Sequence, residues 1–161
     1  MTASVLLDTS FLISLVDQCR ANHKTAAQYY RLMIEEQIPM YFSAIAAAEF
    51  SIKQPITDLP LKNFRPIPFN VPHALVAGRL WSQLWSRADG DQRHVARDDL
   101  KLIAQACHDQ IPFILTEDAS TLRRHCERLN SLGDSRTRAV VLNQGFDPCA
   151  FREDGQRGLA L

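Results

Sequence analysis

Two short apolar runs, each leading into an aspartate flanked by hydroxyl residues, limit this chain more than any other feature. Ser4-Val5-Leu6-Leu7 runs into Asp8-Thr9-Ser10, and Phe113-Ile114-Leu115 runs into Thr116-Glu117-Asp118. Runs this short, rich in branched and aromatic residues, read as buried strands, and helically spaced apolar residues follow each of them. A chain in which buried strands alternate with amphipathic helices folds as an α/β domain with a parallel, doubly wound sheet. In such a sheet the carboxyl ends of the strands form the binding edge, so Asp8 and Asp118 are expected there.

The same alternation runs through the rest of the chain. Phe11, Leu12, Leu15 and Val16 form one helical stripe, and a second helix over about residues 23–36 has Ala26, Ala27, Tyr30, Met33 and Ile34 as its apolar positions. Met40-Tyr41-Phe42 reads as a second strand. Ser43 is placed to cap a helix containing Ile45, Ala48, Glu49 and Ile52, which Pro55 ends. Residues 55–64 form a loop. Residues 65–69, punctuated by Pro66 and Pro68, fit a short edge strand, where a missing amide is tolerated. A helix from about Pro72 carries Ala74, Leu75, Ala77, Leu80, Trp81 and Leu84, and residues 86–93 read as a polar loop. Asp98 or Asp99 opens a helix that runs through Cys107. A short helix over about residues 120–129, a loop at 133–138 and a strand at 139–142 complete the domain, and an irregular tail follows Gly145.

Length and composition exclude several alternatives. The 161 residues suit one domain, read as residues 1–145 with a C-terminal tail at 146–161, and 46% hydrophobic content is ordinary for a globular protein. The stretch from Val5 to Val16 is too short to span a bilayer, and no secretory leader pattern precedes it, so a cytoplasmic location without membrane contact is expected. Cys19, Cys107, Cys126 and Cys149 are widely spaced and form no metal-binding pair, so free thiols are expected. Eighteen basic residues balance eighteen acidic ones, so any contact with nucleic acid must be local. Arg93, His94 and Arg97 lie in one basic stretch, with Arg87 and Lys101 at its ends. Arg123 and Arg124 open a second, which continues through His125, Arg128, Arg136 and Arg138.

The chemistry lies in the acids. Parallel topology brings Asp8, Asp118, Glu49 and Asp99 toward one edge of the sheet. Facing carboxylates repel unless a proton or a cation intervenes, and Mg²⁺ or Mn²⁺ suits carboxylate oxygens. A cation held in this way orients water for attack on a phosphodiester. Each acid also has an ordinary structural reading: Asp8 as a helix cap, Glu49 paired with Lys53, Asp98 and Asp99 as cap and dipole charge, and Asp118 as turn chemistry. Asp99 shares a helical face with Leu102, Ile103 and Ala106, which favours it over Asp98 as the inward acid and leaves Asp98 as the cap.

Four segments in order resemble the PIN-domain family, and the resemblance covers most of the chain. They are Leu7-Asp8-Thr9-Ser10, Ala46-Ala47-Ala48-Glu49-Phe50, the run from Asp99 to Ala106, and Ile114-Leu115-Thr116-Glu117-Asp118. The resemblance implies a three-layer α/β/α domain with a mainly parallel central sheet and Mg²⁺- or Mn²⁺-dependent cleavage of RNA. Many small bacterial members are VapC-type toxins of toxin–antitoxin pairs, so it further implies an antitoxin partner and a homodimer. Carried across, Asp8, Glu49, Asp99 and Asp118 are the catalytic, metal-holding acids, and Thr9, Ser10, Asp98 and Thr116 are secondary site residues. Arg93, His94, Arg97, Arg123 and Arg124 are then candidate phosphate contacts. Where many members carry a further acid two residues after the last motif, this chain has Ser120.

Two other classes compete. One is a PIN-like RNA- or protein-binding module without turnover, against which the retention of all four acids weighs. The other is phosphoryl transfer through an aspartate nucleophile. Asp8-Thr9-Ser10 lacks the second aspartate such a site needs, and the chain has no glycine-rich phosphate loop.

Overall fold

A computed structural model describes residues 3–85 and 93–152. Five strands form one sheet in the order β3-β2-β1-β4-β5: β1 (Val5–Leu7), β2 (Met40–Ser43), β3 (Phe64–Ile67), β4 (Phe113–Thr116) and β5 (Arg138–Val141). All four pairings are parallel, with Leu6 opposite both Tyr41 and Ile114 at the centre. Strand order reverses direction between β1 and β4, which opens a crevice beyond their carboxyl ends.

Pleating divides the core in two. Val5, Leu7, Phe113 and Leu115 face α1 (Thr9–Val16), α2 (His23–Glu35) and α3 (Ala44–Lys53), packing with Phe11, Tyr29, Met33 and Phe50. Leu6 and Ile114 face the other way, against α4 (Val71–Trp85), α5 (Arg93–His108) and α6 (Leu122–Ser131), packing with Leu80, Ile103 and Leu129. The result is a three-layer α/β/α domain. β1 is fully buried at all three positions, as its unbroken apolar run requires. β3 lies at an edge, which accommodates Pro66 opposite Phe42. Two short 3₁₀ turns, Ile56–Asp58 and Leu61–Asn63, interrupt the expected loop before it, and a third, Leu142–Gln144, follows β5.

Several helix phases differ from those expected. In α2 the buried positions are Ala26, Tyr29, Leu32 and Met33, whereas Ile34 is exposed. The cause lies beyond Gly145. Phe146 and Phe151 pack edge-on and tilted against the Tyr29 ring, and Phe151 joins the main core. The Tyr29 hydroxyl also donates to the Gly145 carbonyl and accepts from the Asp147 amide. Residues 146–152 therefore turn α2 toward Tyr29.

In α3 the inward residues are Ala46 and Phe50, while Ala48 and Ile52 face solvent. In α4 Leu80 and Leu84 are buried, while Ala74 and Leu75 are exposed. α5 begins at Arg93, five residues before Asp98, so Asp98 is not its cap; the amphipathic pattern simply starts earlier. The expected loop at 86–93 lies almost wholly outside the described residues, as does the tail from 153 onward. Cys19, Cys107, Cys126 and Cys149 are all free thiols. No helix among the described residues is long and apolar enough to cross a membrane.

Candidate active site

The crevice beyond β1 and β4 holds the acids. Asp8 directly follows β1, and its amide donates to the Leu115 carbonyl at 3.0 Å, which fixes its backbone to β4. Its carboxylate caps α1 by accepting from the Thr9 amide at 2.8 Å through Oδ1. The other oxygen, Oδ2, accepts from Ser10 Oγ at 2.6 Å and Thr116 Oγ1 at 2.7 Å. The cap and the site thus use different oxygens of one group. Thr9 turns its hydroxyl outward to Glu49 Oε2 at 2.5 Å, joining α1 to α3. Ser43 caps α3 through the Ile45 amide and so sets the phase that brings Glu49 here.

Asp118 is held by the start of the α6 corner. Its Oδ1 accepts from the Ser120 amide and hydroxyl at 2.8 and 2.9 Å, and from the Thr121 amide at 2.9 Å. Its own amide donates to Thr116 Oγ1 at 2.9 Å. Burial raises the Asp118 pKa, but the hydrogen bonds from Thr121 and Ser120 outweigh it and hold the group below its ordinary value.

Asp99 behaves in the opposite way. Burial first, then the charges of Asp8, Asp118 and Glu49, push its carboxyl up to about 7, against the lowering effect of the Thr121 hydrogen bond. The four acids therefore share one field. Asp98 stands outside it on the exposed face of α5 and pairs with Lys101 at 2.9 Å.

Thr121 was not among the residues singled out in the sequence. Its hydroxyl contacts Asp99 Oδ2 at 2.8 Å and also Asp118 Oδ2. One hydroxyl proton cannot be given to two carboxylates. Thr121 therefore donates to one of them at a time, and its hydrogen bond lowers the pKa of each. The residue is legible in retrospect, because Asp118-Ala119-Ser120-Thr121 is an Asx-turn pattern that places a hydroxyl beside the acid.

The donor set of the crevice is carboxylate and hydroxyl oxygen throughout, which suits a hard divalent cation. The residues at hand fit such an ion: burial and then three neighbouring acids raise the Asp99 pKa, and a positive charge relieves the cost of ionising it.

Among the candidate phosphate contacts, Arg123 pairs with Glu127 at 2.8 Å on α6, and Arg124 is exposed one residue on. His125 beside them is held below its ordinary pKa by burial and by Arg124 and Arg128, with Asp118 acting in the opposite direction. The side chains of Arg93, His94 and Arg97 lie outside the described residues.

Among the described residues, the one group of three whose ligand atoms lie within 4.8 Å of one another is not the four acids but His73, His108 and Asp109. It sits at the far end of α5, nine residues from Asp99, or roughly 13 Å along the axis. His73 Nδ1 accepts from the Asn70 amide at 3.0 Å, which satisfies the backbone at the start of α4. That bond leaves the proton on Nε2, which donates to both Asp109 oxygens at 3.0 and 3.1 Å. A metal-ligating histidine needs its ligating nitrogen bare and its other nitrogen donating, and the Asn70 bond reverses this. The cluster ties α4 to α5.

The three-layer fold with its parallel sheet is PIN-like. No protein-family model matches the chain, and no curated protein matches its sequence. Solved structures do match the fold. FitAcB from Neisseria gonorrhoeae aligns with a TM-score of 0.60 and 17% identity, covering 91% of this chain and 99% of that one. VapBC2 from Rickettsia felis, bound to a DNA fragment from its promoter, aligns at 0.58 and 13% identity, covering 84% and 97%. VapC20 from Mycobacterium tuberculosis, a Sarcin-Ricin loop cleaving toxin, aligns at 0.53 and 18% identity, covering 84% and 99%.

Proposed function

We propose that this protein is a metal-dependent endoribonuclease and the toxin of a toxin–antitoxin pair. The single observation carrying the reading is the placement of Asp8 and Asp118 at the carboxyl ends of β1 and β4, the topological switch of a PIN-like sheet, with Asp99 beside Asp118 through Thr121. Residues 1–145 supply the nuclease elements, with residues 146–152 of the tail bracing α2. Asp8, Glu49, Asp99 and Asp118 would hold Mg²⁺ or Mn²⁺, which when bound supplies positive charge to a phosphate oxygen and lowers the pKa of water.

The chain's own groups perform the rest. Thr116 and Ser10 fix Asp8 through one oxygen, and Thr9 aims Glu49. Thr121 holds Asp99 and Asp118 beside one another through a hydroxyl that contacts both carboxylates. Arg123 and Arg124 flank the Asp118 corner and offer positive charge to an RNA backbone there. Single-stranded or looped RNA fits best, because the crevice reaches a phosphate most readily where the backbone is exposed. The fold neighbours include VapBC2 and a Sarcin-Ricin loop cleaving toxin, which supports an antitoxin partner for this chain; a homodimer and a cytoplasmic setting belong to the same proposal.

The test is cleavage of single-stranded RNA by purified protein with Mn²⁺ or Mg²⁺, with and without EDTA, beside Asp8→Asn. Cleavage that needs metal and is lost in the variant supports the proposal. Binding of RNA without cleavage would replace it with a module lacking turnover. Growth arrest by the wild type but not by Asp8→Asn, each expressed alone, tests the toxin role separately.

A further inference from the structure

A fifth carboxylate lies between two residues of the site yet serves none of the four acids directly. Glu117 separates Thr116 from Asp118, and its side chain is only 17% exposed. Its Oε1 accepts from Ser14 Oγ on α1 and from Asn22 Nδ2 at 3.2 Å, while Arg20 Nη2 binds Oε2 at 2.7 Å. Ser14 is fully buried, and its carbonyl contacts the His23 ring at 2.9 Å. Asn22 spends its other proton on Asn143 Oδ1 at 2.5 Å, and Asn143 donates to the Glu117 carbonyl at 3.3 Å. Three donors, one of them charged, thus converge on one carboxylate from α1 and the segment leading to α2. The turn after β5 holds its backbone.

The inward connection is through the backbone. The Glu117 amide donates to Ser10 Oγ at 2.9 Å, and Ser10 sends its own proton to Asp8 Oδ2 at 2.6 Å. Thr116, one residue earlier, bonds the same Asp8 oxygen and accepts from the Asp118 amide. A shift of the corner at Glu117 therefore moves the partners of both Asp8 and Asp118. We propose that Glu117 is a positioning residue of the acidic site, its carboxylate anchoring the β4–α6 corner so that Ser10 and Thr116 hold Asp8 and Asp118 in register.

The cleavage readout rests on the nuclease reading; the binding readout does not. Mn²⁺ alone is titrated calorimetrically into wild type, Glu117→Ala, Glu117→Gln and Arg20→Met, with thermal melts on each, and single-stranded RNA cleavage follows. Outer hydrogen-bond partners of metal-holding groups carry about 10- to 100-fold in affinity or activity. Glu117→Ala is expected to lose about tenfold or more in Mn²⁺ affinity and in kcat, with KM for RNA nearly unchanged. Glu117→Gln keeps an acceptor for Ser14 and Asn22 but presents an amide to Arg20, so it is expected to fall between wild type and Glu117→Ala, close to Arg20→Met. Folded Glu117→Ala with wild-type Mn²⁺ affinity overturns the proposal, as does an equal loss in Glu117→Ala and Glu117→Gln. If Glu117→Ala does not fold, Glu117→Gln and Arg20→Met decide, and wild-type affinity in both overturns it. Wild type that binds Mn²⁺ but cuts no RNA refutes the nuclease reading and leaves the positioning claim to the affinity ratios. Wild type that binds no Mn²⁺ refutes both.

Discussion

Replacing Asp99 with asparagine should stabilise the metal-free protein, and by an amount that grows with pH. The ordinary carboxyl pKa of 3.8 is raised to about 7 at Asp99, mainly by burial and then by Asp8, Asp118 and Glu49. In the window between those values the folded protein keeps a proton that the unfolded chain has released. Stability therefore falls as pH rises through the window and levels off above it. At 1.36 kcal/mol per unit the shift corresponds to about 4 kcal/mol, and solvent screening of a partly exposed group reduces this to about 2. The substituted amide keeps an oxygen for Thr121 and carries no charge to repel. Urea unfolding of both proteins in EDTA at pH 4.5 and pH 8 measures the effect. The stability difference is expected to shift by about 2 kcal/mol in favour of Asp99→Asn at the higher pH. Parallel profiles for the two proteins would refute the claim that burial and the neighbouring acids raise the Asp99 pKa. Added Mn²⁺ should reverse the order at pH 8, because only the wild type gains the full binding energy.

Thr121→Val keeps the shape of the side chain and removes the hydroxyl between Asp99 and Asp118; RNA cleavage should fall about 10- to 100-fold, and Thr121→Ser should restore most of it. His73→Ala removes the acceptor for the Asn70 amide and the partner of Asp109; urea unfolding should show a loss of about 2 to 3 kcal/mol with Mn²⁺ affinity unchanged. Phe151→Ala opens a cavity beside Tyr29 and Phe113, and calorimetric melting should register a loss of about 3 to 4 kcal/mol. Wild-type stability in that variant would show that residues 146–152 do not brace α2.

The strands were the most legible part of the chain, for a simple physical reason. A three- or four-residue apolar run bounded by polar residues has few ways to be buried, and the acids that end β1 and β4 are placed by the strands themselves. Asp99 was also readable, because helix phase separates it from Asp98 whatever the starting residue. The start of α5 was not, since an aspartate pair imitates a cap and the true helix begins at Arg93. Phases of α2 and α4 were misread where apolar residues stand side by side, as at Tyr29-Tyr30, Met33-Ile34 and Ala74-Leu75. In α2 the choice between Tyr29 and Tyr30 is made by Phe146 and Phe151, more than a hundred residues away. Thr121 and Glu117 act through hydrogen bonds between distant segments, and such partners leave no periodic signal.

The central claim is that Asp8, Glu49, Asp99 and Asp118 form one cation-binding site, and a Mn²⁺ titration across single variants tests it most directly. Wild type, Asp8→Asn, Glu49→Gln, Asp99→Asn and Asp118→Asn are each titrated calorimetrically, with His73→Ala as the comparison. Each of the four acid variants is expected to bind at least about tenfold more weakly than wild type, and His73→Ala to bind like it. Wild-type affinity in the acid variants, or a loss confined to His73→Ala, would contradict the account and move the metal to the other end of α5.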